Sequence, residues 1–461
     1  MTSDQRRVAV VGGGIAGLAA AHALLTQHDA DQRPGVVVFE RDDRSGGKLR
    51  TSPFAGHPAI DEGADAFLAR IPWASGLAAA VGLGDQLVSP AAGSAAVWWW
   101  DSLHPIPEGL LLGMPTEILA LARSRLLSWP GKLRAATEPF RARTALEPDS
   151  LGQFVRARFG SEVHFRLVDP LVGSIYAADT DHFSLAAVPQ IADLAARGRS
   201  VLITGRRTPK PAPTAGPVFQ TPTGGMGSLA TATASAVVSG GGELRTCTPV
   251  DRLESDGHGW RVNDEYFDGV VLAAPAVSAA GLLVDHAPDA ARVLSVIPTA
   301  DVAMVTIALD AAEWPSRLAG MSGYLVPKPM QRLVTAASFG SQKWAHWATS
   351  GSVILRISLG RDGLAALHLS DEQLLAAAVD EVGRHLGFTV QPLEHRVTRW
   401  PGAFPQYRPH HALHIAAAQH ALPNGIALAG ASYHGIGVPA CIRSGQQAAE
   451  MMYTFLRSVA Q

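Results

Sequence analysis

The chain has 461 residues, a length that predicts two or three domains. Its composition, with 47% apolar and 17% charged residues, excludes a disordered or collagen-like protein, because a large core can be buried. Lys plus Arg (38) nearly balance Asp plus Glu (40), so the basic surplus typical of nucleic-acid-binding proteins is missing and we expect no nucleic-acid partner. The two cysteines, Cys247 and Cys441, exclude a disulfide framework and a cysteine metal site, so we expect a cytoplasmic protein without a metal.

The first apolar stretch, residues 8–25, contains one polar side chain in 18 residues and approaches the length of a membrane span. Because Arg6 and Arg7 precede it, the stretch also has the form of a secretory leader. Four glycines interrupt it, however. We therefore favour a buried strand, a glycine turn and a helix over a membrane span or a leader.

The same stretch opens a dinucleotide-binding pattern. Residues 8–11 are a β-branched run typical of a buried parallel strand, and residues 12–17 match G-x-G-x-x-G before a helical pattern. Residues 36–39 predict a second strand that ends at Glu40, 23 residues after the last glycine. In this unit the glycines allow a tight turn, close approach of a pyrophosphate to the helix N-terminus, and close helix–strand packing. Glu40 would accept hydrogen bonds from ribose hydroxyls and repel a 2′-phosphate.

The residues after Glu40 separate FAD from NAD. Gly46-Gly47-Lys48 resembles the G-G-[KR] extension of the amine oxidase-like flavoprotein superfamily, in which this extension wraps FAD. A surface turn is the alternative for this segment taken alone. Residues 61–65 (DEGAD) resemble the next flavin-facing loop of the same superfamily. Together the two segments favour FAD over NAD.

The middle of the chain predicts a return to the cofactor domain. Residues 205–227 hold five prolines, predict a connection and end in a G-G-M-G turn. A helix over 228–238, a strand over 244–253, a hairpin turn at 256–259 and a buried strand at 270–275 are expected next. This order resembles the second FAD segment of the superfamily, in which Val250 would face adenine.

Two further regions predict the rest of the architecture. Residues 109–145 have an apolar helical pattern with scattered arginines, and Trp98, Trp99 and Trp100 precede them. A membrane-surface layer or an entry layer for the ligand is one interpretation; we favour a helical cap on a substrate cavity, because proline interrupts the pattern. Residues 290–400 alternate strand-like runs with a helix over 371–386, which predicts an α+β substrate domain.

The C-terminal segment identifies the family that the chain resembles. Residues 425–430 predict a strand ending on glycine, and residues 433–442 (YHGIGVPACI) precede a closing helix. This pattern resembles the C-terminal FAD signature of the protoporphyrinogen/coproporphyrinogen oxidase family. Residues 63–70 (GADAFLAR), 169–179 (DPLVGSIYAAD) and 400–407 (WPGAFPQY) resemble other segments of that family, so the resemblance spans the chain.

Three positions depart from the family pattern. Ala178 stands where the family usually has Gly, and His410-His411 stands where it has Gly-His. Ile71 follows Arg70 where many bacterial members have a second basic residue, which affects the expected mode of substrate binding.

The resemblance implies a fold of the α/β plus α+β class: a discontinuous Rossmann-type FAD-binding domain with a mixed-sheet substrate domain and a helical subdomain. We expect the FAD-binding domain at 1–95, 220–290 and 400–461, the helical subdomain at 96–185, and the substrate-binding domain at 186–219 and 291–399. Together with the dinucleotide motif, the resemblance implies FAD contacts from the following residues: Gly12, Gly14, Ile15, Ala16, Gly17, Glu40, Arg41, Ser45, Gly47, Lys48, Gly63, Ala64, Val250, Ala273, Trp400, Gly430, Gly437 and Val438.

The reaction implied by the resemblance is the six-electron, oxygen-dependent oxidation of a porphyrinogen to a porphyrin in heme biosynthesis, with release of hydrogen peroxide. No catalytic side chain is required, because FAD carries the redox chemistry. Arg70 is our candidate for holding a substrate carboxylate, since a guanidinium binds that planar group with two hydrogen bonds, and Tyr176 and Tyr407 are further candidates for substrate binding. An ordinary solvated arginine and core aromatics are the alternative interpretations.

The soluble composition favours coproporphyrinogen III, which has four propionates, over protoporphyrinogen IX, which has two. A flavin amine oxidase, a carotenoid desaturase and a non-catalytic flavin- or porphyrin-binding protein are the alternatives in other functional classes. Dioxygen is the expected second substrate. Peripheral membrane contact, handover to a downstream heme-pathway enzyme and the oligomeric state are left open.

Overall fold

The computed structural model describes residues 5–27, 33–208, 216–348 and 351–459. Two compact units divide the chain. The first unit consists of Met1–Ser89, Gly216–Ile297 and Ala412–Gln461, and the second consists of Pro90–Ala215 and Pro298–His411. Each unit is therefore built from separate stretches of sequence.

Helices and strands are interspersed along the whole described part of the chain. In chain order the helices are α1 (Ile15–Thr26), α2 (Pro72–Ala80), α3 (Ile118–Arg123), α4 (Trp129–Ala136), α5 (Leu151–Phe159), α6 (Ser161–Val163), α7 (Asp169–Tyr176), α8 (Pro189–Arg197), α9 (Val201–Arg207), α10 (Met226–Ser239), α11 (Ala276–Leu283), α12 (Pro288–Ser295), α13 (Gly340–Lys343), α14 (Asp371–Leu386), α15 (His411–His420) and α16 (Val438–Val459). The strands are β1 (Arg7–Val11), β2 (Gly35–Phe39), β3 (Thr51–Phe54), β4 (His57–Asp61), β5 (Phe67–Leu68), β6 (Leu87–Val88), β7 (Ser94–Trp99), β8 (Ser102–Pro105), β9 (Leu110–Leu111), β10 (Met114–Pro115), β11 (Phe219–Pro222), β12 (Glu243–Arg245), β13 (Leu253–Ser255), β14 (Trp260–Val262), β15 (Glu265–Phe267), β16 (Gly269–Leu272), β17 (Thr299–Asp310), β18 (Met321–Leu325), β19 (Val334–Phe339), β20 (Ser352–Leu359), β21 (Glu394–Pro405) and β22 (Ile426–Leu428).

The first unit is organised around a parallel sheet with the strand order β12-β2-β1-β16-β22. Both faces of β1 are covered, which is why its sequence is apolar without alternation. Val8 and Val10 pack in a core with Leu18 of α1, whereas Ala9 packs in a second core with Leu283 of α11. Since all five strands run in one direction, the loops after β1, β2, β16 and β22 emerge at the same edge of the sheet.

The second unit contains a larger sheet with the order β21-β17-β20-β19-β18-β7-β8. Its neighbouring strands are antiparallel except for β18 and β7, which are parallel. Leu374 and Val382 of α14 pack in the core of this sheet with Val305 and Leu355. Ser370 caps α14 through a capping box with Gln373. The α14 bounds match the helix predicted over 371–386, and the mixed sheet confirms the predicted fold class.

Most of the predicted elements of the first unit are confirmed, and one is wrong. Residues 8–25 form β1, a glycine turn and most of α1, and within the described part of the chain no helix combines the length and apolar character needed to cross a membrane. The single strand expected over 244–253 is two short strands, β12 and β13. The segment between them leaves the extended conformation at Cys247, whose φ is +51°, and Pro249 has no N–H to donate to a ladder.

Residues 109–145, for which the sequence predicts helical structure, are also only partly helical. This segment contains the small β9–β10 hairpin followed by α3 and α4, because Gly109 and Gly113 have positive φ angles that turn the chain before a helix can begin. The predicted domain boundaries at 95/96 and 399/400 fall inside β7 and β21 of the second sheet. Part of the predicted connection at 205–227 lies outside the described residues, and the rest includes the end of α9, β11 and the start of α10.

Candidate flavin site

The turn between β1 and α1 has the shape that a pyrophosphate requires. Gly12 has a φ of +110°, and a methyl group there would lie 2.9 Å from the Ala273 carbonyl carbon, while a methyl group on Gly17 would overlap the Gly12 carbonyl oxygen. Gly14, in contrast, has no atom within 4 Å of the place where a methyl group would stand. Since no side chain caps the N-terminus of α1 at Gly14, the N–H groups of its first turn face this open side and suit phosphate oxygens.

The Glu40 carboxylate is held rigidly at the end of β2. It is 7% exposed, and its Oε2 accepts a hydrogen bond from the Gly13 N–H at 2.8 Å while Oε1 accepts one from the Asp42 N–H at 3.0 Å. Each carboxylate oxygen still has acceptor capacity for a ribose hydroxyl. The negative charge also disfavours a 2′-phosphate, so the geometry fits the dinucleotide that the sequence predicts.

The Gly46–Gly47 loop packs directly on the glycine turn. The Gly46 N–H donates to the Gly13 carbonyl at 2.8 Å, and a methyl group on Gly47 would lie 3.3 Å from the Gly14 Cα. Both loop glycines have positive φ angles, +105° and +54°. The two glycine motifs, which are separated in sequence, therefore form one continuous backbone surface.

Lys48 and Cys441 lie close enough to influence each other's charge. The Lys48 side chain is solvent-accessible, yet the surrounding protein partly desolvates it and lowers its pKa. Burial raises the pKa of the Cys441 thiol to about 11, with a smaller opposing effect from Lys48. Cys441 therefore stays protonated at neutral pH and is no nucleophile.

Thr51 and Asp61 connect the Gly63–Ala64 loop to the start of α10, and sequence reasoning missed Thr51. Its hydroxyl donates to Asp61 Oδ1 at 2.5 Å and accepts a hydrogen bond from the Gly227 N–H at 2.8 Å. Asp61 Oδ1 also accepts a hydrogen bond from the Met226 N–H at 2.8 Å. The predicted G-G-M-G turn is thereby fixed beside the loop that carries Gly63 and Ala64. A threonine five residues after the first glycine of a G-G pair was the available sequence signal.

The remaining predicted residues of the first unit border the same sheet edge. The Ala273 N–H donates to the Val11 carbonyl at 2.8 Å, and a methyl group on Gly430 would lie 3.8 Å from the Ala273 oxygen. Val250 follows a segment whose Thr248 N–H donates to the Glu40 carbonyl at 2.8 Å. The strands place these positions next to the glycine turn and the ribose acid.

Gly437 and Val438 stand at the N-terminus of α16, a helix of 22 residues. The positive end of its dipole favours negative charge on any group bound there. The opposite side of α16 packs closely on α1: a methyl group on Gly445 would overlap the Ala16 carbonyl oxygen and lie 3.0 Å from the Ala20 nitrogen. The C-terminal signature is thus anchored to the helix that begins at the pyrophosphate turn.

The structure places the predicted residues in two groups. One group lies in the first unit: Gly12, Gly14, Ile15, Ala16, Gly17, Glu40, Arg41, Ser45, Gly47, Lys48, Gly63, Ala64, Arg70, Val250, Ala273, Gly430, Gly437 and Val438. The other group, in the second unit, consists of Trp400, Tyr176 and Tyr407. Trp400 lies in β21, paired with Val302 of β17.

Tyr176 and Tyr407 belong to one column of aromatic rings. The ring centroids of Tyr176 and Phe183 lie 4.8 Å apart, Phe183 and Tyr407 are nearly parallel at 6.0 Å, and Tyr407 stacks on His411 at 4.0 Å. Tyr407 is 3% exposed, so its ring faces protein rather than an open cavity. Burial raises the pKa of Tyr176, which remains a neutral phenol. Their roles in substrate binding stay predictions.

The Arg361–Asp362 dipeptide, which the sequence did not single out, fixes the backbone after Tyr176. Arg361 donates two hydrogen bonds to the buried Asp169 carboxylate, at 2.9 and 3.0 Å, and a third to the Ala178 carbonyl. Burial alone would raise the pKa of Asp169, but the hydrogen bonds and charge of Arg361 outweigh it and lower that pKa. Asp169 and Arg361 therefore form a charged pair in the second unit.

Asp362 extends this connection to the segment after Tyr407. Its N–H donates to the Ala177 carbonyl at 2.8 Å, and its carboxylate accepts two hydrogen bonds from Arg408, at 2.6 and 2.9 Å. The residues next to both predicted tyrosines are therefore held by adjacent positions of the chain. No local pattern predicts these contacts, since they join three distant segments.

Comparison with known proteins adds the family. Residues 15–452 match the model of the flavin containing amine oxidoreductases. The chain belongs to this family. The coproporphyrinogen III oxidase of Mycobacterium tuberculosis strain H37Rv is 34% identical over 452 residues, covering 96% of each chain, and that of Bacillus subtilis strain 168 is 30% identical, covering 99% of this chain and all of the relative. The chloroplastic protoporphyrinogen oxidase of rice is 28% identical over 98% of this chain.

Solved structures agree with this assignment. A crystal structure from Exiguobacterium sp. 255-15, provisionally named a protoporphyrinogen oxidase, has a TM-score of 0.85 and 29% identity and covers 98% of this chain and 99% of its own. Cyclohexylamine oxidase from Brevibacterium oxydans has a TM-score of 0.69 at 19% identity, which shows a shared fold. The predicted resemblance, the FAD cofactor and the assignment as a flavin-dependent oxidoreductase are confirmed.

Proposed function

We propose that the protein catalyses the oxygen-dependent oxidation of coproporphyrinogen III to coproporphyrin III in heme biosynthesis, with release of hydrogen peroxide. The observation that carries the proposal is the near-complete coverage by relatives of that name at 30–34% identity. The intact glycine turn, the fixed Glu40 carboxylate and the docked Gly46–Gly47 loop support a functional cofactor site rather than a decayed one.

The residues of the chain would bind and orient the cofactor and the substrate, while the cofactor would supply the redox chemistry. FAD held in the candidate flavin site would supply two-electron oxidation with dioxygen as the final acceptor, and the six electrons of the reaction correspond to three such rounds. The glycine turn and the α1 N-terminus would hold the pyrophosphate, and Glu40 would hold the ribose. The α16 N-terminus, at Gly437, would favour negative charge on the group bound beside it.

Arg70 would hold a propionate of the substrate. Its side chain is exposed, two residues beyond β5, and it forms no ion pair among the described residues, so its guanidinium is available to a carboxylate. No histidine needs to act as a base, because protons of a porphyrinogen can leave to water. His434 is desolvated, which lowers its pKa and keeps it neutral.

Protoporphyrinogen IX is the second candidate substrate, favoured by the rice relative and the Exiguobacterium structure. The purified flavoprotein should be incubated with each porphyrinogen while porphyrin fluorescence and peroxide are followed. We expect the larger specificity constant with coproporphyrinogen III. A larger value with protoporphyrinogen IX would reverse the substrate assignment, and no gain above the autoxidation blank with either would refute the proposed reaction.

We also propose peripheral membrane contact through a tryptophan–cation surface, defined as Trp100, Trp129, Lys132, Arg123 and Arg125. Trp100 is 71% exposed and Trp129 is 79% exposed. Trp100 and the adjacent exposed acid Asp101 occupy the turn of the β7–β8 hairpin with φ angles of +46° and +57°, a costly conformation for a bulky side chain.

A series of contacts within the second unit links the segment that carries Trp100 to the segment that carries Trp129. Arg166 covers the Trp99 ring at 4.3 Å and donates to Glu162 at 3.1 Å. Glu162 accepts a hydrogen bond from the N–H of Ser128, the N-cap of α4, directly before Trp129. Lys132 lies 4.8 Å from the centroid of the Trp129 ring. Aromatic rings backed by cations suit the headgroup level of an anionic bilayer.

The charge around this surface supports the same partner. Between residues 118 and 146 the cations are Arg123, Arg125, Lys132, Arg134, Arg141 and Arg143. The single acid of that stretch, Glu138, is fully buried and paired with Arg158. The exposed charge of this stretch is therefore positive, which attracts anionic lipids within about 10 Å at 0.1 M salt.

Vesicle sedimentation tests the membrane proposal. We expect binding to phosphatidylglycerol vesicles that weakens with salt and is reduced in Trp100→Gly, which relieves the turn, and in Trp129→Ser. Leu393→Ser is the control, since Leu393 is an exposed apolar residue of the same unit outside this surface. Equal binding by all variants would contradict the role of the tryptophans. Handover of product to a downstream heme-pathway enzyme stays a prediction.

A further inference from the structure

Arg443 is an exposed cation of α16 that packs on an aromatic ring of α2. Its guanidinium carbon lies 4.4 Å from the centroid of the Trp73 ring. Trp73 is itself half-buried and packs against the core of the first unit, so it offers a fixed surface to the long arginine side chain. A cation–π contact uses the charge of the guanidinium and none of its N–H donors. The donors of Arg443 therefore stay available to a carboxylate.

The contact brings Arg443 to the end of α2 at which Arg70 lies. Arg70 stands two residues before Pro72, the first residue of α2, and Trp73 is the second residue of that helix. Both arginines are exposed, and neither forms an ion pair within the described ranges of the chain. Two guanidiniums from distant segments of the first unit therefore lie at the N-terminal end of one helix.

The segment around Arg70 offers one cation of its own. Between residues 51 and 122 Arg70 is the only lysine or arginine, and its neighbour Ile71 is apolar. Arg50, the preceding cation in the sequence, pairs with Glu62 at 3.1 Å. A substrate that carries several propionates binds more tightly when more than one of them meets a cation. Arg443 supplies a second cation from a separate part of the chain.

The position of Arg443 on α16 is close to the candidate flavin site. It follows Val438, the first residue of α16, by five residues, which is about 8 Å along the helix axis. Burial, and then the charge of Arg443, lowers the pKa of His434, which lies just before Gly437. His434 is therefore neutral and adds no charge of its own. A carboxylate held by Arg443 would belong to a molecule bound near the N-terminus of α16.

We infer that Arg443 is a second carboxylate-binding residue of the substrate site, which holds one propionate of the porphyrinogen while Arg70 holds another. A guanidinium binds a carboxylate with two parallel hydrogen bonds. The inference rests on the proposed function, since it takes a porphyrinogen as the substrate. It assigns Arg443 no part in electron or proton transfer.

The test separates substrate binding from turnover. The oxidation of coproporphyrinogen III is measured at steady state for the FAD-loaded wild type, Arg443→Gln, Arg443→Glu and Arg443→Lys. We expect Arg443→Gln to raise the Michaelis constant about fivefold with kcat unchanged, the effect expected of an exposed charged contact. Arg443→Glu should raise the constant further by repulsion. Arg443→Lys should raise it less than Arg443→Gln does, because it keeps the charge and loses the paired donors.

Arg457→Gln is the matched control, because Arg457 is an exposed arginine in the last turn of the same helix, about 21 Å along its axis from Arg443. It should behave like the wild type. Michaelis constants within about twofold of the wild type in both Arg443→Gln and Arg443→Glu would overturn the inference and leave the proposed function standing. An equal increase in Arg457→Gln, a fall in kcat alone, or a loss of bound flavin in Arg443→Gln would also overturn it.

If the wild type oxidises no porphyrinogen, the proposed function fails and a binding measurement decides the inference. The fluorescence of coproporphyrin III, which carries the four propionates, is then titrated with each FAD-loaded protein at two salt concentrations. We expect Arg443→Gln to weaken binding about fivefold and to reduce its salt dependence. Equal affinities of the wild type and Arg443→Gln, or no binding by the wild type, would overturn the inference.

Discussion

His385 should make the second unit sensitive to mild acid. The residue lies in the last turn of α14 and is 4% exposed, and its ring packs at a tilt against Trp98 with ring centroids 4.0 Å apart. Its Nδ1 lies 3.0 Å from the Tyr324 hydroxyl, and its Nε2 lies 3.2 Å from Nη2 of Arg384. Because a guanidinium can only donate, Nε2 must accept, and the ring proton belongs on Nδ1.

Protonation of Nε2 would place a second cation against Arg384 in a dry environment. Burial, followed by the charges of Arg384 and Arg332, lowers the pKa of His385 to about 3 from its usual 6.5. The unfolded chain therefore binds more protons than the folded one between these values. The contribution of neutral His385 to the free energy of unfolding is complete above about pH 6.5. Below that pH it is lost at about 1.4 kcal/mol per pH unit, so that about 2 kcal/mol is lost at pH 5.

The assay is the free energy of unfolding of the protein by urea, followed by tryptophan fluorescence at about pH 7.5 and pH 5. His385→Gln keeps a neutral polar side chain and should lose about 2 kcal/mol less than the wild type between the two pH values, although it starts from lower stability. His395→Gln, at an exposed position of β21, is the control and should behave like the wild type. If His385→Gln lost as much unfolding free energy between the two pH values as the wild type, the reasoning would be refuted. His164, whose pKa is lowered by burial to about 4, contributes equally to the pH dependence of all three proteins.

Three further predictions concern the first unit. Glu40→Gln should weaken FAD binding by about tenfold, because the charged acceptor of the ribose hydroxyls becomes neutral; flavin titration measures it, and unchanged affinity would contradict the assignment. Gly445→Ala should lower the melting temperature at a cost of about 1–3 kcal/mol, since its methyl group would overlap the Ala16 carbonyl oxygen, whereas Gly281→Ala in α11 has open space and should be neutral or stabilising. Arg70→Ala should raise the Michaelis constant for coproporphyrinogen III about tenfold or more while the flavin content stays at the wild-type level, and an unaltered constant would exclude the anchoring role.

The cofactor half of the site could be predicted because its requirements are local. The glycine at position 12 is needed for its +110° φ angle and its closeness to Ala273, and Glu40 must follow a strand that pairs with β1. Each requirement leaves a mark within a few residues of sequence. The predicted strand over 244–253 was wrong because its interruption is not local. The turn at Cys247 depends on hydrogen bonds to the Asp42 and Glu40 carbonyls, which lie in a distant segment of the sequence.

The substrate half depends on contacts that no short pattern contains. Arg361 meets Asp169 across 192 positions of sequence, and the Tyr407 ring is covered by Phe183 and His411 from two other segments. An aromatic residue in a family motif predicts that a ring is present, but only the packing shows which face of that ring is free. Tyr407 has little free surface, whereas Arg70 is exposed, so substrate affinity should respond more directly to Arg70. A larger change in Michaelis constant for Tyr407→Phe than for Arg70→Ala would show that the hydroxyl of the buried ring, rather than the exposed guanidinium, controls binding.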